Sequence, residues 1–141
     1  MHNMFSFTLE EAQLYRMLGE LFGKDQVIAG MSVLAVCGGT LPEQIQAEQP
    51  SIRSWAKENK CLFTIVDHED LPKAVVEFVH SLESTVELAQ VEHQRFLRPI
   101  LSAAGIVYLT ISIEEFGQVL DPEGNIDFPT LLRAKYEEAK T

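Results

Sequence analysis

The chain has 141 residues, of which 46% are apolar, and this length and composition predict one compact domain over residues 1–141. It carries 21 acidic and 11 basic residues, and the resulting net charge of −10 repels polyanions, which disfavours nucleic acid as a partner. Its two cysteines do not form a Cys-x-x-Cys motif, and no segment has the pattern of a signal peptide or a membrane span. We therefore expect a soluble, cytoplasmic protein.

The first third of the chain predicts a helix, a strand and a long connection. Thr8-Leu9-Glu10-Glu11 is a capping box, and apolar residues at helical spacing follow it until Gly23, which predicts a helix over 9–22. "QVIAGMSVLAV", residues 26–36, is rich in β-branched residues and predicts strand one, with a bend or bulge at Gly30. Residues 37–50 contain turn residues and one weakly amphipathic segment, and we expect a long, mobile connection there.

The middle and the end of the chain predict a buried hairpin followed by a crossover helix. After a short helix over 51–59, "CLFTIVD" and "KAVVEFV" flank the polar "HEDLP", and their continuous apolar runs predict core strands covered on both faces. A helical pattern over 83–104 contains Pro99, so we expect a kink or two successive helices. "GIVYLTIS" predicts the last strand, Ser112-Ile113-Glu114-Glu115 caps another helix, and residues 128–140 form a final helix.

The connections between the predicted strands determine how these strands pair. Strands one to three are joined in a way that favours an antiparallel meander, whereas a helical crossover between strands three and four makes them parallel neighbours. The expected order is therefore helix, strand, strand, strand, helix, strand.

This order, together with "TLEEAQLYRML", "GMSVLAV", "CLFTIVDHEDLPKAVVEF" and "HQRFLRPILSAAGIVYLTIS", resembles the PD-(D/E)XK, restriction-endonuclease-like superfamily. The resemblance covers nearly the whole chain and is narrower for a bacterial group of unknown function within that superfamily. It implies an α/β (α+β-like) fold, with a three-layer core in which helices flank a mixed four-stranded sheet. It also implies a site where acidic residues of the first helix and of strands two and three bind Mg²⁺, which activates a water molecule for phosphodiester hydrolysis.

Two residues of this chain match that acidic pattern. Glu11 corresponds to the glutamate of the first helix and Glu77 to the glutamate of strand three. Leu62-Phe63 stands where the narrower group has Asp-Phe in strand two, and Val79 stands where it has a second strand-three acid. The resemblance therefore implies a degenerate site.

Each candidate carboxylate has a structural interpretation as well. The capping box already accounts for Glu11. Asp67 replaces the missing strand-two aspartate only if the register slides, and otherwise it begins the turn over 67–72. Glu77 stands among valines, where burying a carboxylate lowers the stability of the fold by roughly several kcal/mol unless the carboxylate is paired.

Other polar residues suggest two further kinds of site. His68, His80 and His93, with Cys61 or Glu77, are zinc-type ligands, but none of them has a metal-binding spacing. Arg95 and Arg98 lie near His93 on the long helix, where they could form a small basic stripe, and are candidates for nucleic-acid contact. Three glutamates of the same helix interrupt this stripe: Glu83, Glu87 and Glu92.

These features favour a catalytically inactive, nuclease-like binding or regulatory module that acts through a protein partner or as a homodimer, without a cofactor. An exposed apolar patch with Trp55 and Phe128 would be its contact surface. The first alternative is a Mg²⁺-dependent nuclease with migrated ligands Glu11, Asp67 and Glu77. The second alternative is a small-molecule or metal-binding sensor.

Overall fold

The chain folds into a mixed α/β structure in which helices flank a four-stranded sheet. The computed structural model describes residues 8–79, 85–124 and 126–140. The elements in chain order are α1 (Leu9–Phe22), a 3₁₀ turn (Lys24–Gln26), β1 (Val27–Ala29), α2 (Val33–Val36), α3 (Glu43–Glu48), α4 (Ile52–Glu58), β2 (Phe63–Val66), β3 (Pro72–Val79), α5 (Thr85–Ala103), β4 (Val107–Ser112), α6 (Ile113–Leu120) and α7 (Phe128–Lys140). Within these ranges, no helix combines the length and the apolar character needed to cross a membrane.

The strands lie in the order β1-β2-β3-β4. The first two pairs are antiparallel, β3 and β4 are parallel, and Glu77 of β3 lies opposite Thr110 of β4. The predicted meander and parallel crossover are therefore confirmed. They follow from connection length, because the five-residue link between β2 and β3 can close a hairpin whereas a return in the same direction needs a helix.

The sheet is buried on both faces, and each face has its own apolar cluster. On one face, which we call the α1 face, Phe63, Val76 and Ile111 pack with residues of α1, α6 and α7. On the other, the α5 face, Val75 and Tyr108 pack with residues of α2, α4 and α5. Successive residues of a strand point to opposite faces, so Val76 lies on the α1 face while Val75 and Glu77 lie on the α5 face.

Both predicted capping boxes are present. The Thr8 hydroxyl accepts the Glu11 amide at 3.1 Å, and the Glu11 carboxylate accepts the Thr8 amide at 2.9 Å. Ser112 and Glu115 make the same reciprocal pair at the start of α6. These local signals determine where the two helices begin because each satisfies main-chain amides that have no partner inside the helix.

The predicted strand over residues 26–36 is wrong in its second half. β1 ends at Ala29, and Gly30 has a φ of 73°, which turns the chain out of the sheet. The Ser32 hydroxyl then accepts the Ala35 amide at 3.0 Å and caps α2, whose Val33 and Val36 are buried on the α5 face. A serine cap and tertiary burial therefore override the strand preference of the valines.

Two further expectations need correction. The connection over residues 37–50 contains a helix, α3, at its weakly amphipathic segment. α5 passes through Pro99 as one helix, so the alternative of two successive helices is wrong. Pro99 is exposed, where water can satisfy the carbonyl that loses its amide donor, while Leu97 and Leu101 on either side of it are buried.

Candidate functional site

The candidate site is centred on Glu77, the only charged residue among the buried side chains that the structure describes. Its position on β3 directs the side chain into the apolar α5 face, and 7% of the residue is exposed. A carboxylate at such a position is tolerated only if hydrogen-bond donors replace the water that it loses. Its partners therefore determine what it can do.

Three donors surround the Glu77 carboxylate. The Tyr108 hydroxyl donates to Oε1 at 2.9 Å. The Leu62 amide donates to Oε2 at 3.2 Å, and the His93 Nε2 lies 3.2 Å from the same oxygen. With a proton on Nε2, His93 completes a set in which an acceptor-only carboxylate receives hydrogen bonds on both of its oxygens.

The groups that hold Glu77 are themselves fixed by packing. The His93 ring lies against Trp55, with 5.7 Å between the ring centroids, and Trp55 also contacts Phe96 at 5.3 Å. The Arg98 guanidinium lies 5.0 Å from the centroid of the Tyr108 ring, within the range of a cation–π contact. Aromatic packing thus holds both side-chain donors in place.

Burial and the charge of Glu77 keep the Tyr108 hydroxyl and the Cys61 thiol protonated. Burial, and next the charge of Glu77, raise the pKa of Tyr108, although Arg98 acts in the opposite direction. Burial, followed by the same carboxylate, raises the pKa of the fully buried Cys61 thiol. Tyr108 therefore remains a hydrogen-bond donor at neutral pH, and Cys61 does not supply a thiolate nucleophile.

The other two carboxylates of the candidate set lie elsewhere. Glu11 belongs to α1, which packs on the opposite face of the sheet from Glu77, and it bonds within its capping box. Asp67 lies in the β2–β3 turn, where its Oδ1 accepts the amides of Glu69 and Leu71 at 2.8 and 3.0 Å and its Oδ2 lies 3.5 Å from the Lys73 ammonium. Because β3 separates Lys73 from Glu77 by four residues, the turn is about 13 Å from Glu77 along the strand.

These positions do not fit a Mg²⁺ ion bound by the three carboxylates. Glu11, Asp67 and Glu77 take part in three separate hydrogen-bond networks and share none of the partners named above. Over residues 8–79, 92–124 and 126–139, the structure contains no group of three or more His, Cys, Asp or Glu residues placed to hold a metal ion. The described side chains around Glu77 therefore do not provide the several oxygen ligands that Mg²⁺ takes.

The two described histidines that were candidates for zinc ligands, His68 and His93, lie at different places in the fold. His93 contacts Glu77, but His68 is exposed in the β2–β3 turn at the other end of the hairpin. His80 lies outside the described residues. Among the proposed ligands that the structure describes, His93, Glu77 and Cys61 lie in one region, and the raised pKa of Cys61 favours the protonated thiol, which is a poor zinc ligand.

The two arginines proposed for nucleic-acid contact have different surroundings. Arg98 lies over the Tyr108 ring, beside the Glu77 cluster. Arg95 is exposed and lines a small cavity together with Glu48 and Gln49 of the α3–α4 region. His93 bonds to Glu77, so its ring is engaged there and does not extend a basic stripe from Arg95 and Arg98.

The expected apolar contact surface is wrong at Phe128, and Trp55 is only partly exposed. Phe128 is 5% exposed and belongs to the core of the α1 face, whereas Trp55 is half-buried against His93 and Phe96. Phe128 is buried because α7 turns its apolar side toward the sheet. The large exposed apolar side chains in the described part of the chain are instead Leu9, Tyr15, Leu21, Phe22, Ile28, Leu71, Leu120 and Tyr136.

The sequence pattern predicts an unusual role for Glu77 but does not point to two of its donors, Tyr108 and the Leu62 amide. Tyr108 had a detectable signal, because two-residue alternation in the parallel strand β4 places it on the same face as Thr110, opposite Glu77. No sequence signal pointed to the Leu62 amide, since only the register of β2 against β3 brings it to the carboxylate. Searches of protein-family models, curated proteins and solved structures gave no match to this chain.

Proposed function

We propose that this chain is a catalytically inactive, nuclease-like module that works by binding, through a protein partner or a second copy of itself. The observation that carries the proposal is that the protein itself supplies hydrogen-bond partners to the Glu77 carboxylate. Both of its oxygens accept hydrogen bonds from the protein, and the residue is almost completely buried. The resemblance to restriction-endonuclease-like proteins, with its three-layer core, supplies the nuclease-like part of the proposal.

The chemistry of phosphodiester hydrolysis explains why this observation favours inactivity. A hydrolytic Mg²⁺ site needs several carboxylate oxygens that converge in an open cleft, with room for water and a phosphate. At Glu77, the Leu62 amide and the His93 ring take both lone pairs of Oε2 and the Tyr108 hydroxyl takes one lone pair of Oε1, so a metal ion could bind both oxygens only by displacing a donor from Oε2. Each displacement would leave a buried donor without an acceptor, at a cost of about 1–3 kcal/mol.

Exposed apolar side chains support a role in protein contact. Leu9 of α1 is 73% exposed, and Ile28 points outward from β1, a strand at the edge of the sheet. An edge strand offers main-chain groups for pairing with another chain, and an apolar side chain on it adds buried area to such a contact. This edge is therefore the surface that we propose for self-association.

The hydrolytic part of the proposal is tested by incubating the protein with plasmid DNA, Mg²⁺ and Mn²⁺, alongside metal titration by calorimetry. We expect neither cleavage nor saturable metal binding. Metal-dependent cleavage that is lost in Glu77→Gln and retained in the exposed-residue control Glu69→Gln would contradict the proposal.

The self-association part is tested by light scattering coupled to size-exclusion chromatography. We expect a mass of twice 15.9 kDa that falls toward one chain in Ile28→Lys, because a charge on an edge strand opposes pairing. Leu71→Lys places the same charge in the exposed β2–β3 turn and is the matched control. A mass of one chain at all protein concentrations would remove the homodimer from the proposal.

A further inference from the structure

A groove of about 550 Å³ lies on the α1 face of the sheet, away from Glu77. Its floor is formed by apolar residues of three strands, and its walls by the C-terminal end of α1 and by α7. The residues that define it are Leu21, Phe22, Ile65, Leu109, Leu132 and Tyr136. We call it the α1–α7 groove. Its volume lies in the range of about 300–1,000 Å³ that is typical of pockets for small molecules.

The charges along the α1–α7 groove have one sign. Arg133 lines it, and so does Lys73, which stands where the register of β2 against β3 shifts and the regular alternation of faces is interrupted. None of the lining residues that the structure describes is acidic, although the chain has 21 acidic and 11 basic residues. A lining chosen at random from this composition would carry more acids than bases. The groove is therefore an apolar site whose charged lining residues, among those described, are both basic.

The acidic neighbours of these two cations leave them available to a ligand. Lys73 is 61% exposed in its side chain, and its 3.5 Å contact with Asp67 is a loose surface pair that contributes little. Asp67 is also held by two main-chain amides of its own turn. Near Arg133, Asp127 caps α7 through the Thr130 amide at 2.9 Å, so its carboxylate has a partner other than the guanidinium.

We propose that the α1–α7 groove binds a small molecule with an apolar body and a single carboxylate, such as a medium-chain fatty acid. The apolar floor and walls take the body, and Lys73 and Arg133 take the carboxylate, for which a guanidinium offers two parallel donors. The inference goes beyond the proposed function and does not depend on it, because it uses neither Glu77 nor the edge strand β1.

The test is calorimetric titration of the full chain with decanoate. We expect saturable binding that weakens about fourfold for each methylene removed, as measured with nonanoate and octanoate, because each buried CH₂ contributes a similar increment. Decyltrimethylammonium has the same apolar chain with the opposite charge, and we expect it to bind more weakly than decanoate. Equal affinity for the anion and the cation would overturn the proposal, and so would the absence of saturable decanoate binding.

Variants place the ligand in the groove. Lys73→Gln and Arg133→Gln should each weaken decanoate binding about two- to fivefold, the range expected for an exposed ion pair, while Lys57→Gln on α4 across the sheet should leave it unchanged. Leu21→Glu adds a negative charge to an exposed position of the wall and should abolish binding, with the fold checked by circular dichroism. Binding that is unaffected by Lys73→Gln, Arg133→Gln and Leu21→Glu would refute the site. A dimer whose formation excludes decanoate would show that a second copy fills the groove, and would also refute it.

Discussion

Glu77→Gln tests whether this carboxylate stabilises the fold or is a functional group kept at a cost in stability. The amide has the shape of the carboxylate but only one acceptor oxygen. If that oxygen stays with Tyr108, the Leu62 amide faces an NH₂ group; if the amide turns over, the Tyr108 hydroxyl loses its acceptor. In either orientation a buried donor is left without a partner, and we expect the free energy of unfolding to fall by about 1–3 kcal/mol.

Related variants calibrate this magnitude. Glu77→Leu removes the acceptor for all three donors and should cost about 3–5 kcal/mol, a large part of the roughly 5–15 kcal/mol that stabilises a typical domain. Tyr108→Phe removes one donor and should cost about 1 kcal/mol. In the double variant, Glu77→Gln with Tyr108→Phe, the loss should be smaller than the sum of the single losses, because the two groups act on each other.

The assay is urea unfolding at neutral pH, followed by circular dichroism and by the fluorescence of Trp55. Glu69→Gln makes the same chemical change at an exposed turn position and should alter the unfolding free energy by less than about 0.5 kcal/mol. A Glu77→Gln variant that is as stable as the parent, or more stable, would refute the reasoning. Such a gain is the behaviour of functional-site residues, whose replacement often relieves an unfavourable environment.

Three further predictions concern stability elsewhere in the chain. Thr64→Val replaces a buried hydroxyl that has no hydrogen-bond partner in the described structure, and urea unfolding should show a gain of about 1 kcal/mol; a loss would mean that the hydroxyl has an acceptor. Gly124→Ala should lower the melting temperature because the added Cβ would collide with a main-chain carbonyl oxygen of α6. Gly117 lies inside α6 with open space around it, so Gly117→Ala should raise the melting temperature through a gain of about 0.5–1 kcal/mol, and the reverse order of the two variants would contradict this packing. Partial burial raises the pKa of Glu115, but the Lys135 ammonium at 2.7 Å and the cap of α6 outweigh burial and lower the pKa overall, so Glu115→Gln should lower the unfolding free energy by about 0.2–1 kcal/mol at neutral pH. This difference should disappear as the pH falls below 4.5 through the folded-state pKa, and a difference that persists in acid would exclude the ion pair as its source.

The sequence by itself determined the features that depend on neighbouring residues or on the length of a connection. The capping boxes at Thr8 and Ser112 give the start of two helices because their hydrogen bonds close within four residues. The β2–β3 hairpin and the parallel return to β4 follow from a short polar turn and a helical crossover. The sequence also identified Glu77 as an unusual residue, since a carboxylate inside an apolar strand needs partners.

Only the tertiary structure decided which partners those are. Tyr108, Leu62 and His93 come from β4, from the residue before β2 and from α5. Alternation along β4 indicates which face Tyr108 occupies, but strand register and helix packing bring the three groups to Glu77. The same is true of Val33, which a local strand preference assigns to β1 but which the core of the α5 face places in α2. Local chemistry thus determined where elements begin and turn, while burial on the α5 face of the sheet determined what surrounds Glu77.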